Sequence, residues 1–251
     1  MHCRTYGAGL VIGRLLARLI GRPSAGKSPA CRENSGSGIR ANYCPDVFDV
    51  ENLDQAKRII LTEEQGLTSE ERWRVETPYL AEEIVRSLSL KQGDLLLDYG
   101  CGIGRLSRAL IERCDCAVVG VDISRSMRQM AEEYVASDRF CALSPDMLSR
   151  LIEDGLRFDA AIAVWVLQHC PDVVRDLRLI GNALRETAPF FVVNNEHAAV
   201  PSDRGWLNDG TDIRKLLTDA FASQQFSRLP AHVSSEFVSA NTFTAVFRNK
   251  R

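Results

Sequence analysis

The spacing of apolar residues changes character along the chain. Near the start, Val11, Ile12, Leu15, Leu16, Leu19 and Ile20 recur at helical spacing while Arg14, Arg18 and Arg22 share another face, the pattern of a cationic amphipathic helix. Residues 21 to 45, rich in Gly, Ser and Pro, read as a linker. From Asp49 the pattern is helical again. A short helix is expected near Leu53 to Leu61 and a longer one from Thr68 or Ser69 toward Leu90, with Thr68 and Glu71 spaced for a capping box and Pro78 as the place for a kink.

Short apolar runs then alternate with helical ones. LLLDYG, AVVGVDI, RFCAL, FDAAIAVWV and FFVVNN are strand candidates, separated by helices expected over 106–113, 126–136, 147–151 and 173–184. The strand runs are nearly all apolar, as they must be when helices cover both faces of a parallel sheet. The chain therefore predicts a doubly wound α/β fold with an N-terminal helical lead-in. Residues 212–221 read as a further helix, and 226–233 with 242–248 as a terminal antiparallel pair. A length of 251 residues suits one large domain. The expected division is a basic extension and linker over 1–45, a helical lead-in over 46–90, and the sheet domain over 91–251. Lacking any strand candidate, the first 45 residues are expected to be dispensable for folding.

Charge sharpens this division. The net charge is only -2, which offers no general attraction to nucleic acid or anionic membrane, yet residues 1–40 carry seven Lys and Arg against the single Glu33. Arginine at every fourth position excludes a membrane span there, and residues 8–22 read as a transit-like sequence, a membrane-surface helix in weak contact, or a disordered extension. The eight cysteines are scattered, with no CxxC pair and no His-bearing zinc spacing, so no metal is assigned. Free thiols point to a reducing, cytoplasmic location.

The candidate chemistry begins where the first strand meets the next helix. Gly100, Gly102 and Gly104 follow an apolar strand, but Arg105 stands where a dinucleotide fingerprint of the form GxGxxG needs its last glycine, and Asp98 lies two places before the first. Those differences disfavour a pyrophosphate ligand and an NAD-linked oxidoreductase. A zwitterionic amino-acid group suits the loop better, with glycines permitting close backbone approach and a carboxylate near an amino group. Asp122, 24 residues after Asp98, ends the second strand, where a carboxylate accepts two hydrogen bonds from a ribose diol. Taken alone, either Asp also reads as a helix cap.

DYGCGIGR followed by GVDIS resembles motifs one and two of class I S-adenosylmethionine-dependent methyltransferases, and FDAAIAVWVLQH resembles their fourth-strand motif. The resemblance implies a mostly parallel seven-stranded Rossmann-like sheet, S-adenosylmethionine as cofactor, and methyl transfer as the activity. It further implies that Asp98, Gly100, Cys101, Gly102 and Gly104 hold the methionine end, that Asp122 and Ile123 hold ribose and adenine, and that Asp146 with Met147 meets the adenine edge. Val164 closes the fourth-strand motif on the cofactor side. Asp146 also reads as the N-cap of the helix near Met147 to Leu151. Arg72 and Trp73, ahead of the first strand, read either as cofactor contacts or as part of a helix anchored by a buried Trp.

The acceptor side is expected at the end of the fourth strand, with Trp165, Gln168 and His169, and along the polar loop carrying Asn194 and Trp206. His169 reads as a general base or as a packed or capping histidine. No Asn or Asp with two prolines and an aromatic follows the fourth strand, no Pro-Cys pair stands there, and no basic aromatic face is present, so amine, cytosine and nucleic-acid acceptors are disfavoured. The expected acceptor is a small molecule. A protein acceptor and a noncatalytic cofactor-binding scaffold are the alternatives.

Overall fold

The computed structural model describes residues 41–250, so the amphipathic run and most of the linker lie outside the described residues. The lead-in forms α1 (Leu53–Ile60) and α2 (Ser69–Leu88). Thr68 caps α2 reciprocally: its hydroxyl accepts the Glu71 N–H, and the Glu71 carboxylate accepts the Thr68 N–H. The helix continues through Pro78 as one element, with Leu80, Ala81 and Ile84 buried beyond it. That burial offsets the one backbone hydrogen bond the proline lacks.

The sheet is built from β1 (Leu95–Tyr99), β2 (Ala117–Val121), β3 (Phe140–Leu143), β4 (Ala160–Val164) and β5 (Pro189–Asn195), all parallel. Two short strands, β6 (Val200–Ser202) and β7 (Gly205–Leu207), form a separate hairpin, and β8 (Ala222–Ser227) and β9 (Thr242–Arg248) complete the main sheet. The seven strands lie in the order β3-β2-β1-β4-β5-β9-β8, with β9 antiparallel to both of its neighbours. Every residue of β1, β2 and β4 is buried, which is why these runs carry no polar alternation. One face packs against α2, α3 (Arg105–Cys114) and α4 (Arg125–Val135). The other packs against α5 (Pro145–Glu153), α6 (Val173–Ala183) and α7 (Ile213–Ala220).

The structure departs from the sequence expectations at four places. The terminal pair is β8 over 222–227, not 226–233, because Phe226 turns inward against Phe243 and Phe247 and the chain leaves the sheet before Pro230. A short helix, α8 (Glu236–Asn241), capped by Ser235, occupies the interval before β9. The polar stretch after β5 contains the β6–β7 hairpin. The linker also ends before residue 45: Tyr43 bridges Ser202, the Cys44 N–H donates to Pro201 O, and Asn42 bonds to Asp203. A polar sequence hides such pairing, since an edge segment of three residues has no apolar period to read.

Candidate active site

The turn between β1 and α3 brings backbone, carboxylate and thiol together at the carboxyl edge of the sheet. Gly100 and Gly104 adopt φ of +79° and +78°, in the left-handed region. A Cβ at Gly100 would lie 2.3 Å from Val166 Cγ2, and one at Gly104 would lie 2.4 Å from Val135 Cγ2, so both positions need conformational freedom and an absent side chain. Gly102 lies under Ile60 of α1, and the Cys101 thiol is buried with its pKa held well above normal by burial.

Asp98 is buried at the end of β1 and accepts a hydrogen bond from Ser107 Oγ at 2.6 Å. Loss of hydration raises its pKa to about 6, against the opposing effects of Ser107 and the Arg105 charge. Asp122, just past β2, accepts the Gly102 N–H at 2.8 Å through one oxygen and the Ser124 N–H at 2.9 Å through the other. It therefore ties the end of β2 to the glycine turn, and burial raises its pKa too. Ile123 beside it is exposed, and Val164 closes β4 as a buried residue.

Asp146 is not the N-cap of α5. Ser144 holds that position and accepts the Met147 N–H at 3.3 Å, because Pro145 begins the helix. Asp146 sits exposed in the first turn, 3.9 Å from Arg175, with Met147 half-buried next to it.

The lead-in crosses this edge. After pairing with the hairpin through Asn42, Tyr43 and Cys44, it reaches α4, where Ser124 Oγ donates to Asp49 at 2.8 Å and the Val50 N–H donates to Ser126 Oγ at 2.8 Å. Further along, α2 carries a buried charged web. Glu76, fully buried, accepts from Arg72 at 3.0 Å, from Arg105 at 3.3 Å and from the Trp165 indole N–H at 2.7 Å. Trp73 is buried beside it, with the Arg105 guanidinium 5.5 Å from its ring. Arg72 also donates to Thr62 O at 2.8 Å, yet its Nε is buried without an acceptor. The sequence assigns no role to Glu76 and marks Arg105 only as a departure from the dinucleotide fingerprint. The Arg72–Glu76 spacing of four on a helix was the available signal.

On the acceptor side, His169 follows β4 in a 3-10 turn over Leu167–His169. Its Nδ1 pairs with Ala199 O at 2.7 Å, and its ring lies 5.6 Å from Phe48 and 5.1 Å from Trp206. Burial lowers its pKa, only partly countered by the Ala199 carbonyl. Trp206 is 56% exposed on β7, whereas Asn194 and Gln168 are buried. Asn194 Oδ1 accepts the Gln168 N–H at 3.2 Å, which clamps β5 to the turn after β4. Gln168 Oε1 is buried without a donor. Among the described residues no group of three or more His, Cys, Asp and Glu is placed to hold a metal, and no helix is long and apolar enough to cross a membrane.

These residues suit a zwitterionic nucleoside. A buried guanidinium with an unpartnered Nε suits a carboxylate, the buried Asp98 suits an ammonium, and the Asp122 carboxylate at the strand end suits a diol. The family described as methyltransferase domain matches residues 96–187. The 27-O-demethylrifamycin SV methyltransferase of Amycolatopsis mediterranei is 27% identical over 161 residues, 62% of this chain and 58% of that protein. The ribosomal RNA small subunit methyltransferase H of Rickettsia akari is 33% identical over 94 residues, 34% of this chain and 31% of that one. The chain thus spans well under two thirds of either relative. The N-methyltransferase NodS from Bradyrhizobium japonicum WM9, solved with S-adenosyl-L-homocysteine, superposes with a TM-score of 0.55 at 16% identity, covering 80% of this chain and 100% of that one. The fold is the Rossmann-like methyltransferase fold. The match over residues 96–187 identifies a methyltransferase domain within the chain, and the relatives and solved structures it resembles point to the class I, S-adenosylmethionine-dependent kind.

Proposed function

We propose that the protein transfers the methyl group of S-adenosylmethionine to a small-molecule acceptor held between the end of β4 and the Asn194 to Gly210 stretch. The observation that carries this reading is the aromatic group of Phe48, His169 and Trp206, drawn from the lead-in, the turn after β4 and the hairpin. An acceptor site roofed by short elements of its own chain favours a compact molecule with an apolar part over an extended groove ligand. Trp206 and Trp165 are the side chains proposed to pack on that part, with Gln168 and Asn194 holding the turn beneath.

In this reading Asp98 and the loop through Gly104 hold the methionine end together with Arg72, and Trp73 packs under Arg105, which shares Glu76 with that arginine. Asp122 and Ile123 take the ribose and adenine, Asp146 and Met147 border the adenine, and Val164 ends the strand behind the donor. The cofactor supplies an activated methyl group, so the protein's contribution is in-line positioning and exclusion of water. His169 is proposed as the base for the acceptor. With Nδ1 on a carbonyl it carries its proton there, and its lowered pKa favours an unprotonated Nε2, which faces the Gln168 amide nitrogen at 3.3 Å and would exchange that partner for the acceptor. Unpaired thiols such as Cys101, Cys116 and Cys141 support a cytoplasmic setting.

A labelled methyl donor supplied with small-molecule, lipid, protein and RNA fractions tests the assignment. Label in a small-molecule fraction is expected. Label confined to protein or RNA would overturn the acceptor class, and binding of the donor without turnover on any fraction would favour a scaffold.

A further inference from the structure

The Glu76–Trp165 pair joins α2 to the end of β4, and its construction is costly. Trp165 leaves β4 with φ +60°, a left-handed conformation unfavourable for a bulky residue, while its backbone N–H still bonds to Val193 O at 2.9 Å. The ring is half-buried and packs against both the α2–α4 side of the core and the small cluster beneath the lead-in that contains Ile103 and Trp73. Its indole N–H donates to Glu76 at 2.7 Å, the shortest of the three bonds that carboxylate accepts. Glu76 is 0% exposed, and two guanidiniums hold it in place. A tryptophan kept only for packing needs no buried carboxylate, and apolar residues of similar volume commonly replace buried ionic groups without loss of stability.

The location suggests what the pair is for. Val166, the next residue, lies directly against Gly100, so Trp165 stands beside the turn assigned above to the methionine end. An indole that donates its N–H to an ionised carboxylate is polarised toward greater electron density on its ring, and such a ring attracts a cation more strongly. We propose that Trp165, polarised and positioned by Glu76, recognises the positive sulfur of the donor and so adds to its affinity over the neutral thioether left after transfer. This rests on the methyltransferase reading. In this scheme Trp165, besides bordering the acceptor, touches the cofactor, and Glu76 is a positioning residue acting through it.

The test compares S-adenosylmethionine with S-adenosylhomocysteine by calorimetry on the full chain, reading the ratio of the two affinities. Packing losses common to both ligands cancel in that ratio. Trp165→Leu is expected to shift it about tenfold toward the neutral ligand, and Glu76→Gln, which keeps an acceptor for the indole but removes its charge, about threefold. Trp165→Phe, which keeps an aromatic face without the N–H, should fall between wild type and Trp165→Leu. If Glu76→Gln leaves two arginines unpaired and does not fold, the two Trp165 variants decide. A ratio within twofold of wild type in Trp165→Leu, with both ligands still bound, overturns the inference alone. Wild-type protein that binds neither nucleoside would take down the methyltransferase reading itself.

Discussion

Two kinds of structure meet at the carboxyl edge of the sheet. The strands β1 and β2 are wholly buried with their backbones paired on both sides, and the glycines of the turn after β1 are pressed against Val135 and Val166. The rim above it, made of residues 42–50 and the β6–β7 hairpin, is held by short backbone pairings and exposed side-chain bonds such as Asn42 to Asp203. The first region tolerates almost no change of shape, whereas the second can open locally at small cost. A donor site needs the former, because in-line transfer depends on placement to within fractions of an ångström. An acceptor site needs the latter, because substrate must enter past the roof.

The largest expected effect breaks the rigid side. Gly104→Val places a branched side chain at φ +78° into the space of Val135, and should destabilise the fold by about 3 to 5 kcal/mol, from left-handed strain and overpacking together. The urea midpoint measures it, and a change under about 1 kcal/mol would mean that α4 is not seated as described.

Next in size is Asp122→Ala. Loss of charge-assisted hydrogen bonds to a ribose is expected to weaken cofactor binding by one to two orders of magnitude, about 1.5 to 3 kcal/mol. Part of this comes from the glycine turn, which loses the acceptor for the Gly102 N–H. Unchanged affinity in a folded variant would remove Asp122 from the ribose site.

Acidity gives a third test. Asp98 must be ionised to meet an ammonium, and with its pKa raised to about 6 it must release a proton on binding below that pH. Cofactor affinity should therefore fall about tenfold between pH 7 and pH 5, and Asp98→Asn should bind weakly but without that slope. The cofactor-free fold responds in the other direction. A carboxyl whose folded pKa is raised lends stability below its unfolded pKa and loses it as pH rises through about 6. A flat affinity profile in the wild type would mean that the ammonium is held elsewhere.

The smallest effect belongs to the rim. Asp203→Ala removes two exposed bonds to Asn42 and should change global stability by no more than about 0.5 kcal/mol, while speeding proteolysis within residues 42–50. Equal protease resistance in the two proteins would show that the lead-in is not pinned by the hairpin.

The elements that sequence reading found are those whose physics is local or periodic. The apolar runs at Leu95–Tyr99, Ala117–Val121 and Ala160–Val164, the Thr68–Glu71 box, and the glycines between Asp98 and Arg105 each carry their own signal, because burial on both faces, a cap, or a left-handed turn constrains the residue type on the spot. The family resemblance adds the company of those residues only through motifs that span the same stretch. What the tertiary structure alone decided are contacts between distant polar residues. Glu76 joins Trp165 across 89 positions, Asp49 meets Ser124 across 75, and Asn42 meets Asp203 across 161. A hydrogen bond between side chains so far apart has no period, and its partners are chosen by the packing of helices and strands around them. Ser144, and not Asp146, caps α5 for a related reason: both residue types cap helices, and the geometry of the turn after β3 selects between them.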